Sequence, residues 1–211
     1  MKEIFATDNL FNEILTKIFD IVVLNILWLL CCLPIITIGA STTALYTVTM
    51  KMVRNRESGI VKSFFKAFKE NFKGTVPATL IMLVTIAILV ADFHILGQST
   101  DRLSAVAYGG CLVLLLIWVA IFGYLYPLIA KFENTLKNTF SNAGKLAVIN
   151  PLKTVAMVVL NVLPIAWLMI SPETFAYIFW LWLIAGTGLV AFINSFILNS
   201  IFDKLVENAD E

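Results

Sequence analysis

The chain has 211 residues, of which 60% are hydrophobic and only 14% charged. Soluble domains average about 45–50% apolar and about 25% charged residues, so this composition excludes a water-facing globular surface. The net charge of +1 carries no information by itself. What matters is where the charges fall, and here the basic residues gather between apolar runs. They form no aromatic-interleaved groove and no known nucleic-acid motif, so nucleic acid is not an expected partner. The class is an all-α integral membrane protein.

Residues 1–17 read as an amphipathic lead-in. A first span covers 18–33, with Asp20 at its start and Asn25 inside it, and Pro34 ends it by removing a backbone donor. The segment 35–53 has no charge before Lys51 and is long enough for a tilted crossing. Its Thr and Ser content also suits a shallow re-entrant segment. If it crosses, the bundle has six spans, both termini are cytoplasmic and every Lys and Arg except Arg102 lies inside. If it does not, there are five spans, and Lys2 and Lys17 move outside. Six is the expected count. The segment opens on a run of small residues, Gly39 to Ala44, read as a helix-packing face rather than an unwound binding segment.

Next come Arg54 and Arg56, then a stretch with two helical faces. Val61, Phe64, Phe65, Phe68 and Phe72 share one face at a 3.6-residue period, while Lys62, Lys66, Lys69 and Lys73 repeat the spacing on the other. A Phe-faced, Lys-backed helix over 61–73 is the pattern of a helix lying in the lipid interface, its lysines among anionic head groups. Membrane lipids are thus an expected partner, and the stretch marks the cytoplasmic side of a bacterial membrane. The remaining spans are expected over 76–96, 105–130, 154–170 and 175–202. A second basic segment, 131–153, contains Lys137 and an apolar face of Phe132, Leu136, Phe140 and Ala143. Tyr46, Tyr124 and Tyr126 fall at inner span ends, and Tyr108, Trp167, Tyr177 and Trp180 at outer ones, as interfacial belts would.

Chemistry-bearing residues are sparse. Cys31, Cys32 and Cys111 make neither a metal nor a disulfide framework. Asp92 and His94 are ionisable groups inside a span, which is a functional hypothesis by default. They point to different helix faces, however, and sit within reach of the outer interface. Asn25, Asn161, Asn194, Ser195 and Asn199 suit interhelical hydrogen bonds as well as a solute path. Ser41 with His94 would be a hydrolytic dyad only if a nucleophile elbow and an orienting group were present, and neither is. There is no P-loop, no HExxH and no dinucleotide fingerprint, so no cofactor, metal or catalytic residue is expected. A faint repeat relates Leu45-Tyr46 and Lys51 to Leu125-Tyr126 and Lys131.

Taken together, Leu-Pro at 33–34, Gly-Ala at 39–40, Thr-Thr-Ala-Leu-Tyr at 42–46, the Phe/Lys helix and Pro127-Leu128 through Lys131-Phe132-Glu133-Asn134 resemble the YesL family of bacterial membrane proteins. The resemblance implies a multi-span protein of unassigned function, often encoded beside carbohydrate-uptake ABC transporters, and it supplies no site residues. The expectation is a non-enzymatic accessory protein bound to ABC-transporter subunits through its basic segments. A small transporter or channel acting as a homo-oligomer is the alternative.

Overall fold

The computed structural model describes residues 2–56, 59–98 and 101–210, with side chains placed over 12–56, 59–98 and 101–207. Ser99 and Thr100 of the expected outer loop lie outside the described residues, as do the side chains from Asn208 onward. The described residues form eight α-helices and no strand: α1 (Lys2–Cys32), α2 (Ile38–Met52), α3 (Ile60–Gly97), α4 (Arg102–Lys131), α5 (Leu136–Ile149), α6 (Pro151–Ile170), α7 (Pro172–Leu181) and α8 (Thr187–Asp210). A 3-10 turn at Ile35–Thr37 joins α1 to α2, and a π-helical turn at Trp182–Gly186 joins α7 to α8.

Among the described residues, five stretches are long and apolar enough to cross a membrane: Asn12–Cys32, Ile60–Gly97, Arg102–Lys131, Pro151–Ile170 and the α7–α8 run Pro172–Glu207. Segment 35–53, expected as a sixth span, is not among them. Its helical part, α2, has 15 residues, about 22 Å at 1.5 Å per residue against a hydrocarbon core of about 30 Å. It is instead the centre of the protein. Gly39, Ala40, Ser41, Thr43, Ala44, Leu45, Tyr46, Val48, Thr49, Met50 and Met52 are all buried, with α1, α3, α4 and α8 packed around them. The small-residue run is regular helix. A Cβ on Gly39 would stand 2.1 Å from Thr79 Oγ1 and 2.8 Å from Tyr126 Cε1, so glycine there sets how closely α2 approaches α3 and α4.

α1 and α2 form an antiparallel hairpin. At its open end Lys17 Nζ donates to Asn55 Oδ1 at 2.7 Å, and midway Trp28 Nε1 donates to Thr42 Oγ1 at 3.1 Å. At the closed end the Thr37 hydroxyl donates to the carbonyls of Cys31 and Pro34, tying the turn to itself. Leu33, Pro34, Ile35 and Ile36 at this tip are exposed and wholly apolar. From the Gly39 contact, α3 continues from Thr79 to Gly97, about 27 Å further. The chain from Gly39 back to Pro34 covers at most about 17 Å even when extended. Measured along α3, the tip therefore stops well short of the far end of the bundle.

The amphipathic stretch 61–73 is the first third of α3 rather than a separate interfacial helix, and its helix runs unbroken through Pro77. Phe64 is fully buried in the protein core and Phe68 packs against that core, whereas Phe65 is 40% exposed. The Phe face is thus divided between protein and surroundings, and Phe64 belongs to the first. Lys62, Lys66, Lys69 and Lys73 are exposed as the pattern requires. In the second basic segment, Pro151 starts a new helix. Asn150 before it leaves helical geometry at φ −116°, ψ 62°, as a residue preceding proline tends to, and α5 is thereby separated from α6.

Candidate functional site

Two polar features stand out from an otherwise apolar bundle, and they meet at one end of it. The first is a seam of buried polar side chains between α2, α8 and α1. α8 lies parallel to α2, so successive turns pair. Asn194 Nδ2 donates to Tyr46 Oη at 3.4 Å, and the Thr49 and Ser195 hydroxyls lie 2.8 Å apart. Asn199 Nδ2 donates to the Met50 carbonyl at 3.0 Å. Further along, Asn25 on α1 clasps the π-turn. Its Nδ2 donates to the Leu183 carbonyl at 2.7 Å and its Oδ1 accepts from the Gly188 N–H at 2.8 Å. These backbone groups stand five residues apart, so the amide is inserted into the ladder where the helix widens. A Cβ on Gly188 would meet the Ile21 carbonyl oxygen at 2.8 Å, so that glycine lets α1 come close enough to make the clasp.

The seam is not fully satisfied. Among the described residues, Thr43 Oγ1 and Asn194 Oδ1 are buried without a hydrogen-bond partner, and Ser41 Oγ has only the weak Cys32 thiol beside it. Asn161, expected in the same role, bonds back to the Met157 carbonyl of its own helix.

The second feature is a basic cleft where α2 ends. Asn55 takes a left-handed conformation at φ 51°. The Arg56 N–H bonds to the Lys51 carbonyl and the Asn55 N–H to the Met52 carbonyl, each at 3.0–3.1 Å. This 6→1 and 5→2 pair is a Schellman cap with asparagine at the left-handed position, and Lys17 holds that asparagine's side chain. The cap fixes Arg54 and Arg56 at the mouth of a cleft of about 270 Å³ lined by Thr47, Lys51, Arg54, Arg56, Lys131 and Asn199 among others. Arg54 Nη2 is held by Asp203 Oδ1 at 2.5 Å and Asn199 Oδ1 at 3.2 Å. Among the described residues, Lys51, Arg56 and Lys131 have no ion-pair partner. An adjoining hollow of about 340 Å³ shares Thr47, Lys51 and Ser63 and adds Lys62, Lys66 and Glu70.

Of the residues singled out by sequence, Arg54, Arg56, Lys62 and Lys66 therefore come together. Lys69 and Lys73 do not line either hollow, and Lys137 is exposed on the first turn of α5. Ser41 is buried in α2, whereas His94 is exposed, its Nε2 3.0 Å from Gln98 Nε2. Since α2 meets α3 at Thr79, His94 lies about 22 Å further along that helix, which rules out a Ser41–His94 dyad. Asp92 is half-buried on the same outer stretch. Sequence reading passed over Asn25's clasp and Lys51 and Lys131 as cleft residues. The signal for the clasp was the Gly186-Thr187-Gly188 pair of glycines inside a span.

Tyr46, Tyr124 and Tyr126 are not an interfacial belt. All three are buried, and their hydroxyls meet Asn194, Thr154 and the Met82 sulfur. The outer aromatics Tyr108, Trp167, Tyr177 and Trp180 are exposed, as a belt requires.

Fold and seam together define a multi-span, all-α membrane protein whose basic end is packed like a soluble core. A family profile described as "Protein of unknown function, DUF624" matches residues 21–93, the stretch that holds α2, its cap and most of α3. The chain is 24% identical over 161 residues to the uncharacterized protein YesL of Bacillus subtilis (strain 168), covering 74% of this chain and 76% of that one. The chain is thus similar to YesL and, over part of its length, to a family of unknown function. No solved structure matches.

Proposed function

We propose that the protein is a non-enzymatic accessory protein of the bacterial cytoplasmic membrane, acting by contact with subunits of a transport system of the ABC carbohydrate-uptake kind. The observation that carries this reading is the set of cations Lys51, Arg56, Lys62 and Lys131, without an ion-pair partner among the described residues and collected at one end of the bundle around the α2 cap. Clustered charge of one sign steers and registers a partner. By the positive-inside rule that end faces the cytoplasm. Lys17 and Asp203 lie there too, bonded to Asn55 and Arg54, so both terminal helices have cytoplasmic ends in this reading. The hairpin explains how an odd number of span-length helices gives that result, because α1 enters and α2 returns. The class of partner comes from the transport association that the YesL resemblance implies.

The test is mild-detergent co-purification from the native membrane. Arg56→Glu with Lys137→Glu is expected to remove transporter subunits from the eluate while membrane insertion is unchanged. Undiminished co-purification by the double variant, or eluates free of transporter subunits throughout, would overturn the docking role.

A second reading, a small oligomeric transporter or channel, is favoured by the unpaired Thr43 and Asn194 oxygens inside the bundle. It predicts solute flux in liposomes holding only this chain, reduced by Thr43→Val. The accessory reading predicts none.

A further inference from the structure

We infer that the cleft at the end of α2 is a binding site for a phosphate-class anion, presented by an anionic phospholipid headgroup at the membrane surface. Its walls come from five parts of the chain: Thr47 and Lys51 on α2, Arg54 and Arg56 in the cap, Ser63 on α3, Lys131 at the end of α4, and Asn199 on α8. Four of these residues are cationic, and among the described residues no acidic side chain lines the cleft. Asp203 offsets Arg54 from outside it, leaving Lys51, Arg56 and Lys131 around the one cleft without an ion-pair partner among the described residues. Cations lining one cleft repel, and an anion between them converts that repulsion into charge-assisted hydrogen bonds.

The site is built rather than adventitious. Arg54 is clamped by Asn199 and Asp203, and Asn199 is itself buried and anchored to the Met50 carbonyl. Arg56 is set by the Schellman cap, whose Asn55 is held by Lys17. The donor set is guanidinium and ammonium groups with Thr and Asn beside them, the chemistry that recognises phosphate oxygens. The opening lies where apolar spans end, since α4 terminates at Lys131 and α3 begins its Phe/Lys segment alongside. Basic pockets between helices at that depth take lipid headgroups.

The probe is a short-chain phosphatidylglycerol titrated onto the purified full-length chain in neutral detergent, with the matched phosphatidylcholine and inorganic phosphate as parallel arms. Binding is read by native mass spectrometry. Phosphatidylglycerol is expected to bind at least about tenfold more tightly than phosphatidylcholine. Lys51→Gln with Lys131→Gln should abolish that preference, Lys51→Arg with Lys131→Arg should keep it, and Lys69→Gln with Lys73→Gln, outside the cleft, should leave it unchanged. All six substitutions replace exposed side chains, so the fold survives them. Inorganic phosphate that matches phosphatidylglycerol in affinity and displaces it would keep the site but assign it to a soluble anion. No preference over phosphatidylcholine together with no phosphate binding would overturn the site, as would a preference that survives Lys51→Gln with Lys131→Gln. The readout needs no partner protein, so it stands or falls apart from the docking role.

Discussion

The two ends of this bundle hold themselves together differently. Around α2 the packing is that of a soluble core: Leu24, Leu45, Phe64, Tyr124 and Leu198 are fully buried, and polar side chains cross-link the helices. Toward the other end, Leu103, Val106, Met169, Ile170, Tyr177 and Leu181 lie open on the surface. Only 6% of the most apolar window of α3, and likewise of α4, is buried inside the protein. In water such a surface would be an aggregation hazard, but in hydrocarbon it carries no penalty, because lipid tails are as apolar as leucine. Buried packing and polar cross-links specify the α2 end, whereas the far end relies on sparser contacts, such as the Phe93–Tyr108 ring pair, and on an apolar surrounding.

That contrast predicts unequal sensitivity to substitution, measured as the change in unfolding free energy of the detergent-solubilised protein. The largest effect expected is Phe64→Ala, about 3–5 kcal/mol for a buried aromatic leaving a cavity. Phe65→Ala, one residue away and half in the open, should cost less than about 1 kcal/mol. Equal effects would mean that both rings face lipid. Asn25→Ala comes next at about 1–3 kcal/mol, since it strips the Leu183 carbonyl and Gly188 N–H of their partner in a buried place. Ser195→Ala should cost about 0.6 kcal/mol, the usual worth of one hydrogen bond between membrane helices. At the far end, Asp92→Asn and His94→Ala should each stay within about 0.5 kcal/mol. A larger loss there would show that the outer stretch holds a structural contact after all.

The smallest effect is sensitive to pH. Asp101 caps α4, accepting from the Ser104 hydroxyl at 2.7 Å and the Ser104 N–H at 3.1 Å. The hydroxyl first, and then the N–H, hold its carboxyl below the ordinary value. A lowered carboxylate stabilises above its unfolded pKa, and that contribution fades as pH falls through the folded one. Protection of the first-turn amides of α4 against hydrogen exchange, corrected for intrinsic rate, should therefore fall on acidification. Asp101→Ala should lose it already at neutral pH. Unchanged protection in that variant would show that the cap does not hold the turn.

Apolar runs, Pro34 and the Lys periodicity made the helical membrane class legible in the sequence. What it concealed was which apolar face meets protein and which meets lipid. Phe64 and Phe65 look alike in a periodicity count because lipid and core are equally apolar, so only the packing partner distinguishes them. For the same reason α2 resembles a span: burial among helices and burial in a bilayer select the same residue types. The cleft was half visible, through Arg54, Arg56 and the α3 lysines. Lys51 and Lys131 join it only because α2 and α4 end side by side, a long-range fact that no local pattern carries.

The exposed Leu33–Ile36 tip bears on the shape of the molecule. The α1–α2 hairpin stops there, so beyond it α3, α4, α6 and α7 continue without it, while at the Lys17–Asn55 level α1 and α2 are present with α8, and α5 packs beside α4. The body is consequently tapered, wide at its basic end and narrow at the other. A tapered inclusion displaces more area from one leaflet than from its opposite, and neighbouring lipids must tilt to follow its flanks. A bilayer that curves around the broad end would accommodate that taper with the least tilt.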